Sequence, residues 1–197
     1  MSSTLLGQLT TYGEAMVSAR RIARSPITWI VAVLAIAGLG TALALFQPWR
    51  LVTNTTVEEA APTVAVAPAP DATAPTQAPQ PRVLARGTFL SHEHATSGTV
   101  VVLQLSDDSR VLRLENLDTT DGPDLHVWLT DAPVLEGRAG WSVFDDGAYT
   151  DLGTLKGNRG NQNYPLPADA DLTQLTSVAI WCDRFNVSFG AAELRPV

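Results

Sequence analysis

Hydrophobic positions along this 197-residue chain follow two patterns. The first is an unbroken run at 27–46 (ITWIVAVLAIAGLGTALALF), twenty residues without a charge. At about 1.5 Å per residue, a helix of that length spans a hydrocarbon layer of roughly 30 Å. Trp29 and Trp49 sit near its ends, where indole rings prefer the interface. Pro26 stands where a helix tolerates proline, in its first turn, and Pro48 lies just beyond the end. The second pattern, from residue 83 onward, alternates with period two, as strands do when one face is buried.

That alternation predicts strands at 83–90, 99–105, 110–116, 125–130, 148–155, 177–183 and 186–189. The second and third form a hairpin around Ser106-Asp107-Asp108-Ser109, residues that favour tight turns. Val101, Leu103 and Leu105 are expected to share a core face with Leu112 and Leu114, with Arg113 and Glu115 facing water. Gly122-Pro123, Asp146-Gly147 and Gly157-Asn158 punctuate the rest, and no window long enough for a helix lacks a breaker. Many short strands predict an all-β domain, an antiparallel β-sandwich, over 83–197.

Two segments complete the organisation. Residues 48–82 read as a Pro/Ala/Thr-rich linker: six prolines and a single charge, Asp71, fall between Ala60 and Pro81. Such a stretch cannot bury a core and favours extended polyproline II, a semi-rigid spacer. Residues 1–26 read as a short leader with Arg20, Arg21 and Arg24. Ala42-Leu43-Ala44 offers a small-x-small cleavage site, but the apolar run exceeds the roughly 7–15 residues of a signal-peptide core. The expected arrangement is an uncleaved transmembrane helix at 27–47 in the plasma membrane. The arginines then hold the N-terminus in the cytoplasm and the C-terminal domain is extracytoplasmic.

Charge narrows the partners. From Leu84 onward sixteen acids face eight bases, and a domain this acidic repels phosphate backbones. Nucleic acid is therefore not an expected partner; the membrane is, through 27–47, together with a redox partner or an envelope protein.

The only cysteine, Cys182, rules out an internal disulfide and a cysteine-rich zinc site. It alternates with Val178 and Ile180 on one face of its strand, opposite Ala179, Trp181 and Asp183. Two readings stand: a small buried hydrophobe, or a thiol or ligand held inside a pocket. His92 and His94, one residue apart, form a half-site for copper or zinc in an extended chain, and with a cysteine a His₂Cys set. Equally, they are two histidines of a polar turn. His126 is expected beside Trp128 on the opposite face from Leu125, Val127 and Leu129. The acidic breaks at 118–124 and Asp145-Asp146 lack the spacing of a calcium loop and read as solvated turns. No nucleophile elbow, phosphate loop or dinucleotide fingerprint is present, so a conventional hydrolase ranks last.

Gly87-Thr88-Phe89, His94-Ala95-Thr96-Ser97-Gly98 and Gly122-Pro123-Asp124-Leu125-His126-Val127-Trp128-Leu129 have a familiar order. So have 151–164 (DLGTLKGNRGNQNY), Val178-Ala179-Ile180-Trp181-Cys182 and 185–194 (FNVSFGAAEL). Together they resemble the DM-thirteen electron-transfer domain family, associated with DOMON domains in Skeletor-like proteins and membrane-anchored in bacteria. The resemblance implies a β-sandwich-like fold and a redox role. It places the family's hallmark cysteine at Cys182, as a free thiol or the holder of a prosthetic group such as haem. The family's histidine before Thr-Ser-Gly falls on His94, while His92 and His126 match no family position. No CxxCH haem-attachment motif is present. The expected function is thus a membrane-anchored redox module using Cys182, with His94 the second participant. The alternative is a non-enzymatic cell-surface binding module in which Cys182 only packs.

Overall fold

The computed structural model describes residues 25–62 and 80–197; the leader and the middle of the linker lie outside them. The chain divides into two units, Met1–Gln47 and Pro48–Val197. In the first, helix α1 (Pro26–Phe46) has proline at its start and ends at Gln47 in the left-handed region, φ 42°, its amide bonding to the Leu43 carbonyl at 3.0 Å. No residue of α1 is buried, and it is long and apolar enough to cross a membrane, with mean hydropathy 2.3. Its one hydroxyl near the middle, Thr41, donates back to the Ala37 carbonyl at 2.9 Å, so the apolar surface is not broken by an unpaired polar group.

The second unit is a two-layered β-sandwich. Its strands are β1 (Thr56–Glu58), β2 (Arg82–Thr88), β3 (Leu90–Ser91), β4 (Ser97–Gln104), β5 (Arg110–Asp118), β6 (Leu125–Thr130), β7 (Tyr149–Thr154), β8 (Arg159–Leu166), β9 (Ser177–Cys182), β10 (Val187–Glu193) and β11 (Arg195–Pro196). One sheet runs β1-β8-β5-β4-β2-β11 and the other β3-β10-β9-β6-β7. Every pair is antiparallel except β1 with β8.

The β4–β5 hairpin forms on its predicted turn: the Leu105 amide bonds to the Ser109 carbonyl at 2.8 Å, with Asp108 at φ 65°. The faces are shifted by one residue on β4. Val100 pairs with Leu114 and Val102 with Leu112, and these four enter the core between the sheets, whereas Val101 and Leu103 are buried outside that cluster. A valine run gives no alternation to read, so the register has to come from pairing.

Arg113 also departs from expectation, because it is buried and does not face water. Residues of the stretch read as linker cover it: its guanidinium donates to the carbonyls of Glu59 (3.1 Å) and Ala60 (3.2 Å), to Asn163 Oδ1 (2.8 Å) and to Glu115 Oε1 (3.1 Å). The first part of that stretch adds β1 to the sheet edge, ahead of the prolines that make the remainder unfit for a strand.

β8 falls outside the strands that alternation predicts. Its sequence, RGNQNYPL, is poor in β-formers, but the polar side chains are satisfied internally. Buried Gln162 accepts from the Tyr164 hydroxyl (2.9 Å) and the amides of Lys156 (3.1 Å) and Gly157 (3.2 Å), and donates to the Gly157 carbonyl (2.6 Å). A fully bonded amide costs little to bury.

Candidate functional site

β9 is the only described strand of more than two residues that is buried at every position. It sits between β10 and β6, so both its edges are paired, and alternation sends its side chains into two different environments. Val178, Ile180 and Cys182 join the core between the sheets; Ala179 and Trp181 join a second cluster with Trp128, Ala132, Phe144 and Ala191. The division of β9 expected from its sequence is the one formed.

Cys182 is a free, fully buried thiol. Its cross-strand neighbours are Leu125 on β6 and Val187 on β10. Burial pushes the thiol up from its ordinary range, and the Asp124 carboxylate pushes the same way; backbone amides of Phe185, Arg184 and Asp124 pull back against both. The sulfur is accordingly held as neutral SH, not as a nucleophilic thiolate.

The histidines are placed apart. His92 is buried, with Nδ1 2.8 Å from Ser188 Oγ and Nε2 3.1 Å from the Leu135 carbonyl. A carbonyl only accepts, so Nε2 carries the proton and Nδ1 accepts from the Ser188 hydroxyl. Its ring packs on Phe144 at 5.6 Å. His94 stacks on Phe189 at 4.0 Å, with Nε2 3.8 Å from Glu93 Oε2. Burial lowers the pKa of both rings; the Leu135 carbonyl opposes this at His92 and the Glu93 charge at His94. Phe144 and Phe189 belong to different clusters, so the two rings do not share a chelating face. Strand β10 lies between β3, which leads into the turn with His94, and β9, which carries Cys182.

A haem or a copper ion, the groups the resemblance and the His₂Cys pattern point to, does not fit these residues. The thiol is fully buried between Leu125 and Val187 on the paired strands, both His92 nitrogens are already bonded, and no three His, Cys, Asp or Glu side chains among the described residues converge for a metal. Cavities of 520 and 490 Å³ lie elsewhere, at β2/β11 and beside β7, and one of 110 Å³ reaches Asp124 and Leu125 but not Cys182.

Sequence reasoning missed two groupings. His126, facing Trp181 on the outer side of the sheet as expected, is bracketed by carboxylates: Nδ1 lies 2.9 Å from Asp151 Oδ2 and Nε2 3.5 Å from Asp124 Oδ1. The Asp124 carboxylate thus lies with His126 on the outer face of the sheet. The second grouping is aromatic. Trp128 stacks on Tyr149 (4.0 Å, 9° between planes) and on Trp181 (5.0 Å, 24°), and Phe144 meets Trp181 edge-on at 6.4 Å. The placement of Trp128 and Trp181 on one face was legible from alternation, whereas Tyr149 on a third strand was not.

Fold and site together define a β-sandwich domain with a lone thiol sealed in its core and an aromatic stack on the opposite face of the same strand. The family model described as Electron transfer DM13 matches residues 88–194, more than half of the chain, and the chain belongs to that family. No curated protein and no solved structure matches it.

Proposed function

We propose that the chain is a membrane-anchored electron-transfer protein whose redox group is the Cys182 thiol itself, working as a protonated, water-shielded centre. α1 is the anchor, the N-terminus lies in the cytoplasm, and the sandwich stands outside the plasma membrane to meet a redox partner. The observation that carries the reading is the position of Cys182: the sole sulfhydryl of an electron-transfer family domain, fully buried in its core.

A sealed neutral thiol is a poor partner for disulfide exchange, which needs a thiolate and access. It is suited to one-electron chemistry. The S–H bond breaks, the electron leaves toward a one-electron acceptor, and the proton is lost to a base in solution. Return of one electron and a proton restores the thiol.

The test is electron counting on the full chain in detergent micelles. A stoichiometric one-electron oxidant should withdraw one electron per chain from the reduced protein in a phase that Cys182→Ala and Cys182→Ser both lose. Equal electron yields from the parent and both variants would remove the thiol from the reaction.

A second reading is favoured by the same complete packing: Cys182 fills the core and the acidic domain recruits an envelope protein. It predicts that Cys182→Ala leaves partner capture intact and costs about 1–2 kcal/mol of stability.

A further inference from the structure

The outer face of the β9 sheet carries an arrangement that packing alone does not explain. Tyr149, Trp128 and Trp181 come from three adjacent strands, β7, β6 and β9, and form a continuous stack with centroid steps of 4.0 and 5.0 Å. One end is 46% exposed at Tyr149; the other is fully buried at Trp181, whose peptide bond leads to Cys182. Burial of two indoles ordinarily comes with partners for their N–H groups. Here Trp128 Nε1 and Trp181 Nε1 are both buried without a hydrogen-bond partner among the described residues, and a buried polar group left unpaired calls for a reason, a redox role among them.

We propose that Tyr149, Trp128 and Trp181 form an electron relay between the domain surface and the strand that carries Cys182. This rests on the electron-transfer reading above and names its route. Near-parallel rings in van der Waals contact give direct orbital overlap at each step. An oxidised indole normally loses its N–H proton to an acceptor and traps the charge. With no acceptor within reach, each indole keeps its proton and passes the charge on. The electron travels from Trp181 to Trp128 to Tyr149 and reduces a one-electron acceptor at the exposed phenol. Oxidised Tyr149 releases its phenol proton to water and regains one when Trp128 refills it, and Trp181 is refilled by an electron from Cys182, whose proton is lost to a base in solution. Tyr149 also borders the 490 Å³ groove that includes Asp169 and Asp171, so the acceptor the surface favours is a cation.

The test is flash oxidation of the full chain in detergent micelles by photogenerated tris(bipyridine)ruthenium(III), a cationic one-electron oxidant, read by transient absorption and by electron paramagnetic resonance of trapped radicals. The signal lost in Trp181→Phe is assigned to Trp181. It is expected in the parent, and expected to fall to background in Trp128→Phe and in Tyr149→Phe; the latter, at an exposed position, keeps the fold if the former does not. It is also expected to persist in Cys182→Ala, so the relay is read even if the thiol is not the redox group. A Trp181 signal of equal yield in the parent and Tyr149→Phe, or none in the parent, overturns the proposal.

Discussion

At the scale of single residues, two ionisable groups report on burial. The folded state holds Cys182 protonated above the range where an exposed thiol ionises. Iodoacetamide should therefore leave it unmodified in native protein at mildly alkaline pH and alkylate it fully in urea; rapid native alkylation would show an open pocket. For His92 the sign runs the other way. Its folded-state pKa lies below the ordinary 6.5, chiefly through burial, so between the two values the unfolded chain binds more protons. Its stabilising contribution is complete above 6.5 and is lost as pH falls through the folded-state value. Urea midpoints should drop as pH falls from 6.5 to that value, and His92→Gln should shrink the drop. His94, also lowered by burial, adds to the effect in the same direction.

Elements made of alternating residues were legible in the sequence, and those resting on polar side chains were not. β9 and β6 were read with correct faces because Val178, Ile180 and Cys182, or Leu125, Val127 and Leu129, are separated by residues bound for the other side. β4 was misread by one residue because its valines are contiguous. β8 was missed because Gln162 enters the interior on bonds its sequence does not announce. β1 was hidden in a stretch whose later prolines define its composition. It depends on Gly160, which sits at φ 96°, where a Cβ would run into the Val57 carbonyl and meet Glu58 Oε1 at 2.7 Å. Gly160→Ala should cost about 1–3 kcal/mol from backbone strain alone. Hydrogen exchange at Glu59, whose amide bonds to the Asn161 carbonyl at 2.9 Å, should accelerate while β9 stays protected. Unchanged exchange at Glu59 would mean that β1 is held by the Arg113 bonds and not by its pairing.

For the whole molecule, α1 is long and apolar enough to cross a membrane, and the proposed function makes it the anchor of a displayed domain. Protease added to intact cells with the wall removed should cleave the chain on the C-terminal side of α1. Complete protection of the domain, with cleavage only after lysis, would reverse the orientation. The chemistry of the centre was only half visible beforehand. Cys182 stood out by being alone, and the family places it in an electron-transfer domain. Its place on a strand paired at both edges and the stack behind it depend on which strands are neighbours, which no local pattern encodes.

The most direct measurement is an electron paramagnetic resonance spectrum of the full chain, frozen after one-electron oxidation, with cysteine deuterated at its β-carbon. The account predicts a sulfur-centred radical whose spectrum narrows on deuteration and disappears in Cys182→Ala. A spectrum indifferent to both changes would contradict it.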